Sequence, residues 1–235
     1  MKAFFYRLSF LFCGLCSGLL LSCAARIDGS LAADGSAVMS VNVSLETGMT
    51  SLIRRLKAAG GQTGDPVLDG QSIAQSMSNK PGVARVSFTN TASSALDGTV
   101  QISNINEFLA VGGFIKFEQG RTGGSCEINI SRDNGPAILA MLSLEISDYL
   151  ETLMAPLVTG EDLNKAGYLA EVTSIYGRTV SNEIAGSRIR VSIDFPGTVT
   201  SVRGGTFSGR RVNFDIPVLD LLVLETPLSY NVMWN

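Results

Sequence analysis

The chain has 235 residues, of which 45% are hydrophobic and only 17% charged, with a formal net charge of −3 and no histidine. That length suits one large domain or two small ones with enough apolar material for a core. The low charged fraction argues against disorder, and the acidic balance against a nucleic-acid binder. Without His there is no Ser-His-Asp or Cys-His unit, no imidazole base and no His-bearing zinc site.

Lys2 and Arg7 form a basic start, and the run from Leu8 to Leu21 carries no charge. About fourteen residues is too short to span a bilayer, which takes roughly twenty, but it suits the apolar stretch of an export signal. The run ends in Leu20-Leu21-Ser22-Cys23-Ala24, which resembles a bacterial lipobox. Residues 1–22 are expected to be removed, with Cys23 acylated and residues 23–35 serving as a tether. Loss of Lys2 and Arg7 takes Lys+Arg from 18 to 16 against 21 Asp+Glu, a net charge of −5. Cys13 and Cys16 leave with the signal, so Cys126 is the one free thiol and no intramolecular disulfide is expected. Cys126 alternates with Ile128 and Ile130 and reads as a buried, inert side chain on a strand.

Residues 36–235 read as one α+β domain. Met39, Val41, Val43 and Leu45 alternate with polar residues, predicting a half-buried strand. Thr47 or Thr50 is placed to cap a short helix holding Leu52, Ile53 and Leu56. Asp69 caps a second one through Ile73 and Met77. The period then returns to two. Strands are expected around Ala84–Phe88, Thr99–Ser103, Phe114–Glu118 and Cys126–Ser131, with a helical turn at Asn106–Leu109. The last two strands are joined by a glycine-rich GRTGG connection.

A helical hairpin is expected at about 133–177. Its first helix carries Ile138, Leu142, Ile146, Tyr149, Leu150 and Leu153 on one face, and its second Leu163, Ala166, Leu169, Val172 and Tyr176. Strands return around Ile189–Phe195, up to Val202, at Val212–Ile216 and at Leu228–Trp234. Leu219–Leu224, a nearly continuous apolar run, reads as a strand buried on both sides or as the wall of a lipid cavity. Segregated strands and helices with tight turns predict a mainly antiparallel, curved sheet, short N-terminal helices and the long hairpin packed upon it.

The segments VSIDFPGTVTSVRGGTFSGRRVNFDIP, LVLETPLSYNVMWN and IDGSLAADGSAVMSVNVSL together resemble the LppM-type lipoprotein domain. The helical hairpin falls outside that pattern and looks like what spirochaete lipoproteins insert between these parts. The resemblance rests on turns and core positions, so it brings no catalytic residues. It implies an acylated envelope protein with an α/β fold, with lipid or glycolipid contact in some members.

Candidate chemistry is sparse. Glu145, Asp148 and Glu151 share a helix face at spacings of three and read as a solvated surface rather than an acid–base set. Asp133-Asn134-Gly135 lacks the further ligands of a calcium loop and reads as a helix cap. The glycine clusters match no phosphate-binding pattern, and no metal or cofactor site is expected. Arg203, Arg210 and Arg211 are candidates for contact with lipid head groups or a partner. Leu222, Leu224, Tyr230 and Trp234 are candidates for an apolar ligand.

The expectation is therefore a non-enzymatic, membrane-anchored envelope lipoprotein, held at Cys23 in the inner or outer membrane. Its ligand would be a lipid or other apolar molecule in a groove between sheet and helices. The alternative is a structural or protein-interaction lipoprotein, an assembly subunit or adhesin, with a solid core.

Overall fold

The computed structural model describes residues 24–59, 66–110, 114–135, 150–151, 153 and 155–235. Cys23, the expected export signal and most of the expected first hairpin helix, including Ile138, Leu142, Glu145, Ile146, Asp148 and Tyr149, lie outside the described residues.

The α+β architecture is as expected, but the strands form two sheets rather than one. The chain opens with β1 (Ala24–Leu31) and β2 (Ala37–Ser44), then helices α1 (Thr47–Ala59) and α2 (Gly70–Ser78). Next come β3 (Val83–Ala92), β4 (Ala95–Ile102), α3 (Ile105–Ala110), β5 (Ile115–Gln119) and β6 (Gly124–Ile130). Helices α4 (Pro156–Thr159), α5 (Lys165–Tyr176) and α6 (Arg178–Gly186) follow. The chain ends with β7 (Arg188–Asp194), β8 (Val199–Arg203), β9 (Thr206–Ser208), β10 (Arg211–Pro217), α7 (Val218–Val223) and β11 (Leu228–Trp234).

The larger sheet has the order β3-β4-β2-β1-β7-β10-β9 and the smaller β5-β6-β11-β8. Every pairing is antiparallel except β1 with β7, which is parallel, Ala24 opposite Arg188. The chain crosses between sheets at Gly204, whose φ of 82° suits glycine and whose place a Cβ would contest, 2.5 Å from the Tyr230 ring.

Two expectations are corrected. Residues 24–31 are no tether: they form β1, flanked by partners on both sides. The alternation is faint because Ala25 and Gly29 share the inward phase with Ile27 and Leu31; backbone pairing supplies what side chains do not. Leu219–Leu224 is not a strand, because Pro217 enters it at φ −62° and the leucine-rich run coils into α7. Leu224 ends that helix in the left-handed region at φ 47°.

The inner faces of the two sheets pack on each other through Val100, Ile193, Val212 and Phe214 from one and Phe117, Val232 and Trp234 from the other. Trp234 stacks on Phe117 with centroids 5.7 Å apart and tilts against Phe195 at 5.1 Å. A second core joins the helices: Leu52 of α1, Tyr168 and Val172 of α5, Val180 and Ile184 of α6, and Leu222 and Val223 of α7. Gly177, at φ 92°, breaks the predicted second hairpin helix from α6, which the sequence pattern did not mark.

Candidate functional site: an apolar cavity between the sheets

The inward phase of each strand decides what lies between the sheets. In β6 that phase is Cys126, Ile128 and Ile130. In β7 it is Val191 and Ile193, and in β1 Ile27 and Leu31. These side chains, with Met39, Phe117 and Phe214, do not fill the space, and a cavity of about 260 Å³ remains between them. Its lining is hydrocarbon and aromatic apart from the Met39 thioether, the Cys126 thiol and the Tyr230 hydroxyl. Burial pushes that thiol up to about 11, so it stays protonated and acts as a small apolar group. Burial likewise raises the Tyr230 hydroxyl, as does Asp220 of α7. The Tyr230 ring meets Phe214 edge-on at 5.2 Å.

Such a cavity has little to offer a polar ligand. An apolar void of about 150 Å³ stays dry and admits benzene, while pockets for drug-sized ligands begin at roughly 300 Å³. The space here falls between these and fits a slim apolar group.

The expected ligand residues are dispersed. Tyr230 lines the cavity. Trp234 is buried beside it in the inter-sheet core but does not line it. Leu222 belongs to the helical core and Leu224 is buried at the end of α7, so neither reaches the cavity. The groove expected between sheet and helices lies instead between the two sheets. Period two marks Cys126, Ile128 and Ile130 as one face of a strand, but it carries no information about a second sheet facing them across a gap.

The arginines are separate as well. Arg210 donates from Nε to the Phe195 carbonyl at 2.7 Å. Arg211 reaches Asp28 at 3.2 Å and Asp194 at 3.9 Å. The hydrogen bond from Arg26 holds the Asp28 carboxyl below its ordinary range, with Arg211 adding to it. Arg203 is exposed at the end of β8, opposite Asn231 in the smaller sheet. Two of the three side chains are thus used in holding strands and turns together.

Outside the sandwich, the larger sheet shows a polar face. Arg26, Asp28, Ser40, Asn42, Ser87, Thr89, Asp97 and Thr99 border a shallow, open depression there. Among the described residues no group of three or more acidic, Cys or His side chains is placed to hold a metal ion. No helix of the described residues is long and apolar enough to cross a membrane.

No family model matches the chain, and no curated protein matches it. Among solved structures it is similar to the NMR structure of the Mycobacterium tuberculosis LppM protein folded domain. The TM-score is 0.41 at 11% identity, over 92% of this chain and 93% of that one. A likeness this distant assigns no function, and the spirochaete resemblance gains no support from these comparisons.

Proposed function

We propose that this protein is a non-enzymatic envelope lipoprotein, exported and acylated at Cys23, that holds a slim apolar ligand between its two sheets. The ligand class is an acyl chain or a segment of one. The observation carrying the reading is the cavity of about 260 Å³, bounded by both sheets and lined by apolar side chains. The lipobox-like Leu20-Leu21-Ser22-Cys23 supports the reading, since a lipid-anchored chain would lie where such ligands are abundant. A protonated Cys126 and a chain without His support binding rather than catalysis.

The test is native mass spectrometry of residues 24–235 after incubation with a single-chain fatty acid, compared with the Cys126→Phe variant. Filling the space with a phenyl ring at position 126 is expected to abolish a one-to-one adduct while leaving the fold intact. A wild-type protein that stays bare, or an adduct that survives Cys126→Phe, would sink the assignment. A bare protein would favour the alternative of a scaffold or protein-interaction lipoprotein.

A further inference from the structure

The pairing of residues 24–31 as β1 bears on how a chain anchored at Cys23 stands on a membrane. A tether would let the domain tumble. Here the residue that follows Cys23 is already paired on both sides, with Ser44 of β2 and Arg188 of β7. Consecutive Cα atoms are about 3.8 Å apart, so position 23 lies one residue step from the end of the larger sheet. We infer that the protein has no spacer between its lipid anchor and its folded body. The sheet end bearing Ala24, Ser44 and Arg188 therefore rests on the lipid surface. This rests on the acylation of Cys23 proposed above.

The strand register identifies the two ends. Ser44 faces Ala95 and Ala95 faces Ala92, so the β3–β4 turn lies at the membrane end. Arg54 of α1 donates to Ser93 Oγ in that turn at 3.0 Å. Arg188 faces Pro217, which puts the start of α7 there too. The opposite end holds the turn Ala32–Ser36 between β1 and β2. It also holds Arg211, whose partner Asp194 faces Ser30. From Ala24 to Ser30 the strand climbs about 20 Å.

Charge at the membrane end is mixed, with Asp215 at 3.6 Å from Arg188, so the covalent anchor and not a basic patch sets the orientation. The same geometry carries Arg210 and Arg211 away from the bilayer that holds Cys23. These two arginines are thereby removed as head-group contacts for that membrane.

The experiment uses the full-length acylated protein in vesicles whose lipids carry a spin-label quencher on the head group. A fluorophore is attached at Ala92→Cys or at Ala33→Cys, both exposed, in a Cys126→Ala background. Quenching is expected to be several-fold stronger at position 92 than at 33. A flexible ten-residue insertion between Cys23 and Ala24 is expected to erase most of that contrast. Equal quenching of the two uninserted proteins, or stronger quenching at 33, overturns the orientation. The intact mass of the same preparation separates the two ideas. Without the diacylglyceryl addition the anchor itself is wrong, whereas an acylated protein lacking the contrast leaves the anchor standing and removes the fixed orientation.

Discussion

The helical core is closed, whereas the inter-sheet core is tightly packed around Val212, Val232 and Trp234 and open where it borders the cavity. In the helical core Tyr168, Val172, Val180, Ile184 and Val223 are between 0% and 2% exposed, and the Tyr168 hydroxyl donates to the Leu153 carbonyl at 3.2 Å. Between the sheets, Ile27, Met39, Cys126 and Ile128 are only half-buried and border an open volume. Close packing is the norm for a protein interior. The gap is therefore the unusual feature of an interior that is otherwise well buried in both cores.

One truncation in each core tests this contrast. Tyr168→Ala empties a fully enclosed site and leaves the Leu153 carbonyl without its donor; about 3–5 kcal/mol of stability should be lost. Ile128→Ala enlarges a space that is already there, and the loss should sit near the low end for such truncations, about 2 kcal/mol. Urea unfolding of residues 24–235 measures both. Equal losses would mean that the inter-sheet core is packed as tightly as the helical one, and the cavity would lose its standing as a site.

Polar contacts around the helical core come next in size. Arg132, just after β6, donates from Nε to the Val223 carbonyl at 3.1 Å and from Nη2 to the Leu163 carbonyl at 2.6 Å, and it pairs with Asp162. It thereby holds α7, the segment before α5 and the smaller sheet together. Arg132→Ala should cost about 2–3 kcal/mol, since two carbonyls lose a charged donor. Glu183 of α6 accepts from the backbone N–H groups of Gly48 and Met49 at 2.8 and 2.7 Å, capping α1 from another helix. Glu183→Ala should cost about 1–2 kcal/mol. Hydrogen exchange that opens first at the start of α1 would locate the loss there.

That cap illustrates how far the sequence was legible. Local signals carried their weight: Asp69 caps α2 through the N–H groups of Gln71 and Ser72, as its place before Ile73 implied. The alternating strands from Ala84 to Trp234 fall where period two puts them. The signals that failed were non-local. The expected caps for α1 were Thr47 and Thr50, because nothing in one stretch of chain reveals a carboxylate that arrives from position 183. The sequence of β1 resembles a tether because its inward phase holds Ala25 and Gly29, and its place between two partners is a property of the sheet. The same holds for the cavity. Periodicity marks Cys126, Ile128 and Ile130 as one face, whereas the gap beyond depends on how closely a second sheet approaches.

The smallest effect concerns the same junction and has a definite sign. Oε1 of Glu46 is buried and has no hydrogen-bond partner among the described residues. Burial, and then the charge of Glu183, raise the Glu46 carboxyl above its ordinary value of 4.5. A raised carboxyl binds its proton more tightly in the folded chain than in the unfolded one, so this group opposes folding once it is ionised. The penalty is complete above the folded-state value and fades as pH falls towards 4.5. Glu46→Gln should therefore raise the melting temperature slightly at pH 7 and leave it unchanged near pH 3. A gain that persists at low pH would show that the amide acts through new hydrogen bonds and not through the lost charge. In the Glu183→Ala background the pH 7 gain should shrink, because one of the two causes of the shift is then gone. A full gain there would leave burial alone responsible, with no electrostatic coupling between Glu46 and Glu183.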